Sequence, residues 1–155
     1  MVYLHPELVP QGIGYQVNQA RLAVGTGGLW GLGLGRSRQK YHYLPEPAGD
    51  SIFAILAEEL GLVRTSFVLL AFAIIGWRGF TIARLAPDTF GRLLATGITS
   101  WILAQAFINI GSVLALSPLT GIPLPFISYG GSALATLLLA VGILLNVSKH
   151  TVPSE

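Results

Sequence analysis

Apolar and polar positions divide this chain into two regions. Residues 1–50 hold short apolar stretches among many glycines and prolines. Residues 51–155 run in long apolar blocks with two interruptions. The first block predicts a membrane helix from Ser51 to about Trp77, capped by Asp50 or Ser51, with Phe67–Gly76 fully apolar. Arg78 to Arg92 reads as a short polar loop, with Pro87-Asp88 as its turn signal. A second span is predicted at about Leu93–Leu116 and a third, rather short, at Ser132–Val147. Between them, Ser117–Gly131 is a charge-free loop rich in proline and glycine. Residues 1–50 read as a structured loop region with one short amphipathic helix around Tyr15–Val24. The pattern predicts an all-α polytopic membrane protein: three transmembrane helices preceded by a large structured loop.

Composition agrees. Of the 155 residues, 52% are hydrophobic and only 10% are charged, and mean hydropathy is +0.66. That is a membrane composition. From Leu93 through Ser148 there is no Asp, Glu, Lys or Arg. Such a run accommodates two helices of about 20 residues each with a loop between them. The sequence pI of about 9.2 does not point to nucleic acid, because the basic residues are scattered and no nucleic-acid motif is present. There is no cysteine, which excludes disulfide and thiol chemistry. His5, His42 and His150 lack metal-ligand spacing, so no metal site is read from them. Asn146-Val147-Ser148 matches a glycosylation sequon but falls at the end of a predicted span.

Basic residues set the expected orientation. Arg78, Arg84 and Arg92 flank the first connection and Lys149 follows the third span, whereas Ser117–Gly131 has none. The first connection and the C-terminus are therefore expected in the cytoplasm, with Ser117–Gly131 and residues 1–50 outside. Arg21, Arg36, Arg38 and Lys40 in the outward region run against this trend, and no signal peptide precedes them. Both points are met if the chain is the C-terminal part of a longer polytopic protein and the outward basic residues bind an anionic ligand.

Ionisable residues gather where the first span begins. Arg36, Arg38 and Lys40 precede a proline-stiffened turn at Pro45-Glu46-Pro47, then come Asp50 and, within the helix, Glu58 and Glu59. Such a cluster at a membrane surface suits a charged, lipid-borne ligand. Asp50 reads two ways: a helix N-cap, or a general base at the membrane–water boundary. Glu58 and Glu59 are expected in the outer turn, where acids favour the helix dipole, and Arg64 is expected to snorkel or to pair with one of them. The glycine-dense Gly25–Gly35 matches neither a dinucleotide fingerprint nor a P-loop. It reads first as a bent segment packed against helices, and second as backbone that a ligand can approach. In the second span Gln105, Asn109 and Ser112 share one face, at steps of four and three. Interhelical hydrogen bonding is the leading reading, a polar path through the membrane the other. The Pro118–Ser132 loop is apolar enough to dip back toward the bilayer, where irregular backbone must be buried in protein or line a cavity.

Several of these stretches together resemble one family, the SEDS proteins (FtsW/RodA/SpoVE). They are Gly12-Ile13-Gly14-Tyr15-Gln16, Gly31-Leu32-Gly33-Leu34-Gly35, Gln39-Lys40 and Tyr43-Leu44-Pro45-Glu46-Pro47. Further along come Ile52-Phe53-Ala54, Glu58-Glu59-Leu60-Gly61 and Asn109-Ile110-Gly111, and last the long, specific run Gly121–Ser132, which reads GIPLPFISYGGS. They follow the family order over nearly the whole chain. The family has ten membrane helices, so the resemblance implies that this chain holds the last three and most of the large outward loop before them.

The resemblance further implies a glycosyltransferase of the bacterial plasma membrane. It would polymerise lipid II, an undecaprenyl-diphosphate-linked disaccharide peptide, into peptidoglycan during division or elongation, beside a class B penicillin-binding protein. Asp50 takes the position of the catalytic acid. The family reads Pro-Glu-x-His-Thr-Asp-Phe-Ile-Phe-Ala there; this chain has Ala48-Gly49 for His-Thr and Ser51 for Phe, and keeps the Asp. A carboxylate can take the proton of the acceptor hydroxyl, and Lys40, Arg36 or Arg38 can offset the charge of the departing diphosphate. Gln39, Glu46, Ser128, Gly130 and Gly131 complete the substrate-binding set. No cofactor is identifiable, and a divalent-cation requirement is left open. Two rival readings are a lipid II flippase, using Gln105, Asn109 and Ser112 as a path, and a truncated scaffold without activity. The isolated chain is expected to be incomplete and inactive by itself.

Overall fold

A computed structural model describes residues 22, 25–33, 35, 52–114, 116–118 and 120–151. Three helices dominate: α1 (Ile52–Leu85), α2 (Thr89–Val113) and α3 (Gly131–Lys149). Each is long and apolar enough to cross a membrane, and no strand occurs among the described residues. The helix expected around Tyr15–Val24 lies outside these residues apart from Leu22.

At 1.5 Å per residue, the 34 residues of α1 would span roughly 51 Å, well beyond an apolar core of about 30 Å. The helix is in fact interrupted at Gly61, whose φ of 75° and ψ of 173° are not helical. Only glycine adopts that conformation readily. The interruption opens the bonds that Leu62 and Val63 would otherwise make to Glu58 and Glu59. The glycine-dense segment fills both gaps. Leu32 and Gly33 donate their N–H groups to the carbonyls of Glu58 and Glu59, at 3.0 Å each; Leu62 and Val63 donate to Gly28 and Leu29, at 2.9 and 3.2 Å. All four freed groups find backbone partners, which a buried helix break requires. This segment is therefore packed against a helix, the first of its two sequence readings.

The connection between α1 and α2 is shorter than the polarity of Arg78–Arg92 suggested. α1 continues to Leu85 and α2 begins at Thr89. Arg78 and Arg84 lie on the exposed surface of the helix, with the Arg78 guanidinium 5.7 Å from the Trp77 ring centroid and Arg84 in the last turn, where a cation favours the dipole. Charge marks the end of the apolar stretch, not the end of the helix. Asp88 caps α2 by accepting the Gly91 N–H at 2.7 Å.

α1 and α2 form an antiparallel pair with a seam of small residues. Phe72, Gly76, Gly79 and Ala83 meet Ala95, Thr99, Ile102 and Ala106, both series at steps of four, three and four. That repeat is the spacing of left-handed helix packing, and its small side chains let the backbones approach. α3 adds a narrow stripe, Leu137, Ala140 and Leu144. Its other faces expose Leu138, Leu139 and Leu145, as α2 exposes Phe90, Leu93 and Phe107. Apolar exposure on this scale suits a bilayer or further helices, not water.

Candidate functional site

Three parts meet at one end of the bundle: the first turn of α1, the C-terminal half of α2, and the loop that leads into α3. The prolines of the loop explain its dependence on α2. Pro118, Pro123 and Pro125 lack N–H donors, so this stretch is short of donors for its own carbonyls. Side chains of α2 supply the donors. The Gln105 amide donates to the Pro123 carbonyl at 2.9 Å, and the Asn109 amide to the Ile122 carbonyl at 2.7 Å. Ser112 donates to the Asn109 carbonyl at 2.7 Å. The shared face of Gln105 and Asn109 thus binds a loop instead of a neighbouring helix. Neither of the two sequence readings foresaw a main-chain acceptor.

Held this way, the loop inserts Leu124 into the core at 1% exposure. Leu124 joins a cluster with Phe53 and Ala54 of α1, Ile102, Ala106 and Val113 of α2, and Leu137 of α3. Ile52 and Ile127 pack against the same cluster. The loop then turns sharply. Phe126 has φ 65°, a strained value for an aromatic residue, and the N–H groups of Ile127 and Ser128 return to the Leu124 carbonyl at 3.3 and 3.0 Å. Between α2, this turn and α3 lies a cavity of about 190 Å³, walled by Trp101, Leu124, Phe126 and Leu137, with Gln105 and Ser128 as polar members.

The sequence-predicted site residues divide. Asp50, Lys40, Gln39, Arg36, Arg38 and Glu46 lie outside the described residues. Ser128, Gly130 and Gly131 lie together at the start of α3. The Ser128 hydroxyl oxygen accepts the Leu124 N–H at 2.7 Å, so it has a structural duty in the turn. Gly130 is the N-cap of α3 with extended backbone and no side-chain capping bond. A Cβ at Gly131 would meet nothing within 4 Å, and one at Gly130 only Ala133 at 3.5 Å. Neither glycine is required by packing among the described residues. Tyr129, between them and Ser128, is 85% exposed.

Glu58 and Glu59 sit elsewhere than expected. They are not in the outer turn; they close the short first segment of α1, just before Gly61, at 1% and 8% exposure. In chain order they precede the longer second segment, which starts at Leu62, so any help to a helix dipole goes to that segment. Glu59 Oε1 is buried without a hydrogen-bond partner among the described residues. Arg64 is exposed and pairs with neither acid; the break at Gly61 lies between them.

Known proteins share these features. A family model described as cell cycle protein, FtsW/RodA/SpoVE, matches residues 1–152. Stage V sporulation protein E of Bacillus subtilis is 56% identical over 149 residues, covering 96% of this chain and 41% of that protein. A probable peptidoglycan glycosyltransferase FtsW of the same organism is 51% identical over 142 residues, covering 92% and 35%. One chain of a solved peptidoglycan synthase complex superposes with a TM-score of 0.76 at 27% identity, over 96% of this chain and 40% of that one. A crystal structure of a variant of the rod shape determining protein RodA of Thermus thermophilus gives 0.65 at 30% identity, over 87% and 41%. This chain therefore spans about two fifths of the length of the proteins it resembles. Over that span, the matched motifs and the shared helical fold establish that the chain belongs to the FtsW/RodA/SpoVE family.

Proposed function

We propose that the protein to which this chain belongs is a peptidoglycan glycosyltransferase that polymerises lipid II into glycan strands in the bacterial plasma membrane. Family membership over residues 1–152 is the observation that carries this reading. Its relatives include proteins named as probable glycosyltransferases of this kind. In the proposed arrangement the chain supplies the last three of ten helices. Residues 1–50 and the Gly121–Ser132 loop face outward, and the C-terminus faces the cytoplasm. A class B penicillin-binding protein is the proposed partner, matching the resemblance to a complex that couples polymerization and crosslinking.

Asp50 is the proposed general base. It takes the proton from the acceptor sugar hydroxyl as that oxygen bonds to the anomeric carbon of the donor. The bond from that carbon to the diphosphate oxygen breaks, and the lipid diphosphate departs with the electron pair. Arg36, Arg38 and Lys40 offset its charge, with Gln39 and Glu46 beside them. Gly130 and Gly131, which packing does not require, leave the first N–H groups of α3 approachable, an arrangement suited to a phosphate. Ser128 fixes the turn that presents them. The flippase reading loses support, because the amides of Gln105 and Asn109 are engaged with loop carbonyls. The test is to supply purified full-length protein with lipid II and its partner, and to separate products by size. Glycan strands that vanish on omitting the protein are expected. Movement of lipid II across vesicles with no strands formed would favour the flippase.

A further inference from the structure

We infer that Asn109, helped by Gln105, is a positioning residue for the reaction: through the loop it sets the place of the first turn of α1. The inference rests on the proposed glycosyltransferase reading, in which the general base Asp50 stands two residues before Ile52. Asn109 is fully buried. Its amide and that of Gln105 grip adjacent carbonyls, Ile122 and Pro123, at 2.7 and 2.9 Å. The next residue is Leu124, which is driven into the cluster that includes Phe53 and Ala54. The path therefore runs from two carboxamides, across two hydrogen bonds, through one buried leucine, to Phe53 and Ala54, three and four residues after the proposed base in the sequence. Gripping adjacent carbonyls fixes both the depth and the twist of the loop, which one bond would not. Pro123 and Pro125 offer no N–H, and the N–H groups of Leu124, Ile127 and Ser128 are engaged within the turn.

Geometry of this kind matters to rate more than to binding, because misplacing a catalytic group by about 1 Å can cost roughly a hundredfold. Asn109→Leu keeps the approximate side-chain size and removes the donor without adding an ionisable group. Gln105→Met does the same at a half-buried position that tolerates change, should the first variant fail to fold. Each is made in the full-length protein, and rates are normalised to folded material. Two readouts follow: amide hydrogen exchange over 121–129 and 52–60, and kcat and KM for lipid II polymerisation. Exchange is expected to quicken in both segments, with kcat falling roughly tenfold to a hundredfold and KM holding, the signature of a lost transition-state arrangement. A loosened loop with unchanged exchange in 52–60 would overturn the inference, as would loosening of both segments with kcat intact. Absence of polymerisation by the wild-type protein would instead overturn the glycosyltransferase reading, while the exchange readout would still decide whether the amides position α1.

Discussion

Gly31 and Gly61 cross backbone to backbone. A Cβ on Gly31 would strike the Glu59 carbonyl oxygen, and one on Gly61 would strike the Gly31 nitrogen. Both have positive φ, 80° and 75°. Around them the two segments exchange bonds in register: Gly28 and Leu32 serve Leu62 and Glu58, and Leu29 and Gly33 serve Val63 and Glu59. Each segment supplies what the other would have found four residues away in an unbroken helix. A helix interruption beside buried acids is tolerated because this crossing pairs the N–H groups of Leu62 and Val63 and the carbonyls of Glu58 and Glu59.

Gly61→Ala should therefore be severe in the full-length protein. A side chain in that backbone conformation costs about 1–3 kcal/mol, and the clash with Gly31 adds to it. Gly97→Ala is the control, because it is helical with nothing within 4 Å of the new Cβ; it should be neutral or stabilise by about 0.5–1 kcal/mol. Thermal unfolding in detergent decides. Equal melting of the two variants would show that the crossing carries little of the stability.

The seam between α1 and α2 offers a second test. A Cβ on Gly79 would collide with the Thr99 side chain. Gly79→Ala should cost about 1–3 kcal/mol through overpacking. Thr99→Ala removes the obstructing atoms, along with the bond from its hydroxyl to the Ala95 carbonyl. The double variant should recover part of the loss, and the double-mutant cycle measures how much. Strict additivity would mean that the two residues do not meet in solution.

Arg78, Arg84 and Arg92 lie around the α1–α2 connection, and the loop before α3 has no basic residue among 117–131. A reporter fused after Glu155 in the full-length protein is expected to be active only when it resides in the cytoplasm. Activity of an export-dependent reporter there would invert the bundle and place Asp50 on the wrong side for lipid II polymerisation.

What could be read from the sequence follows from what is local. The three apolar blocks announce three helices because burial in a bilayer needs nothing beyond composition and length. Their ends were harder. Arg78 and Arg84 read as loop because charge stops the apolar run, although long basic side chains sit comfortably on a protruding helix end. The cap at Asp88 was visible as Asp-Thr-Phe-Gly just before an apolar run, a signal that would have moved the start of α2 to Thr89. The face shared by Gln105 and Asn109 was legible from spacing, but its acceptors are main-chain carbonyls thirteen and eighteen residues away, which no periodicity encodes. The crossing of Gly31 with Gly61 is a pairing between distant stretches, so the glycines were conspicuous while their purpose was not.

Asp50→Asn in the full-length protein separates the two roles open to this residue. As a helix cap, Asp50→Asn should be mild, because Asn caps about as well as Asp. As the general base, the same change keeps shape and cap but removes the proton acceptor, and such catalysis typically contributes about a hundredfold to ten-thousandfold. The expected outcome is normal expression and partner binding with polymerisation nearly abolished. Lys40→Ala should behave differently. It removes the positive charge that offsets the diphosphate, so polymerisation weakens, and the defect relative to wild type shrinks as salt screens a solvent-exposed contact. Wild-type rates for Asp50→Asn would leave the cap reading standing. The base would then be sought at Glu46 first, since Glu58 and Glu59 are enclosed beside the Gly61 break, where an acceptor hydroxyl could reach them only if the crossing opened.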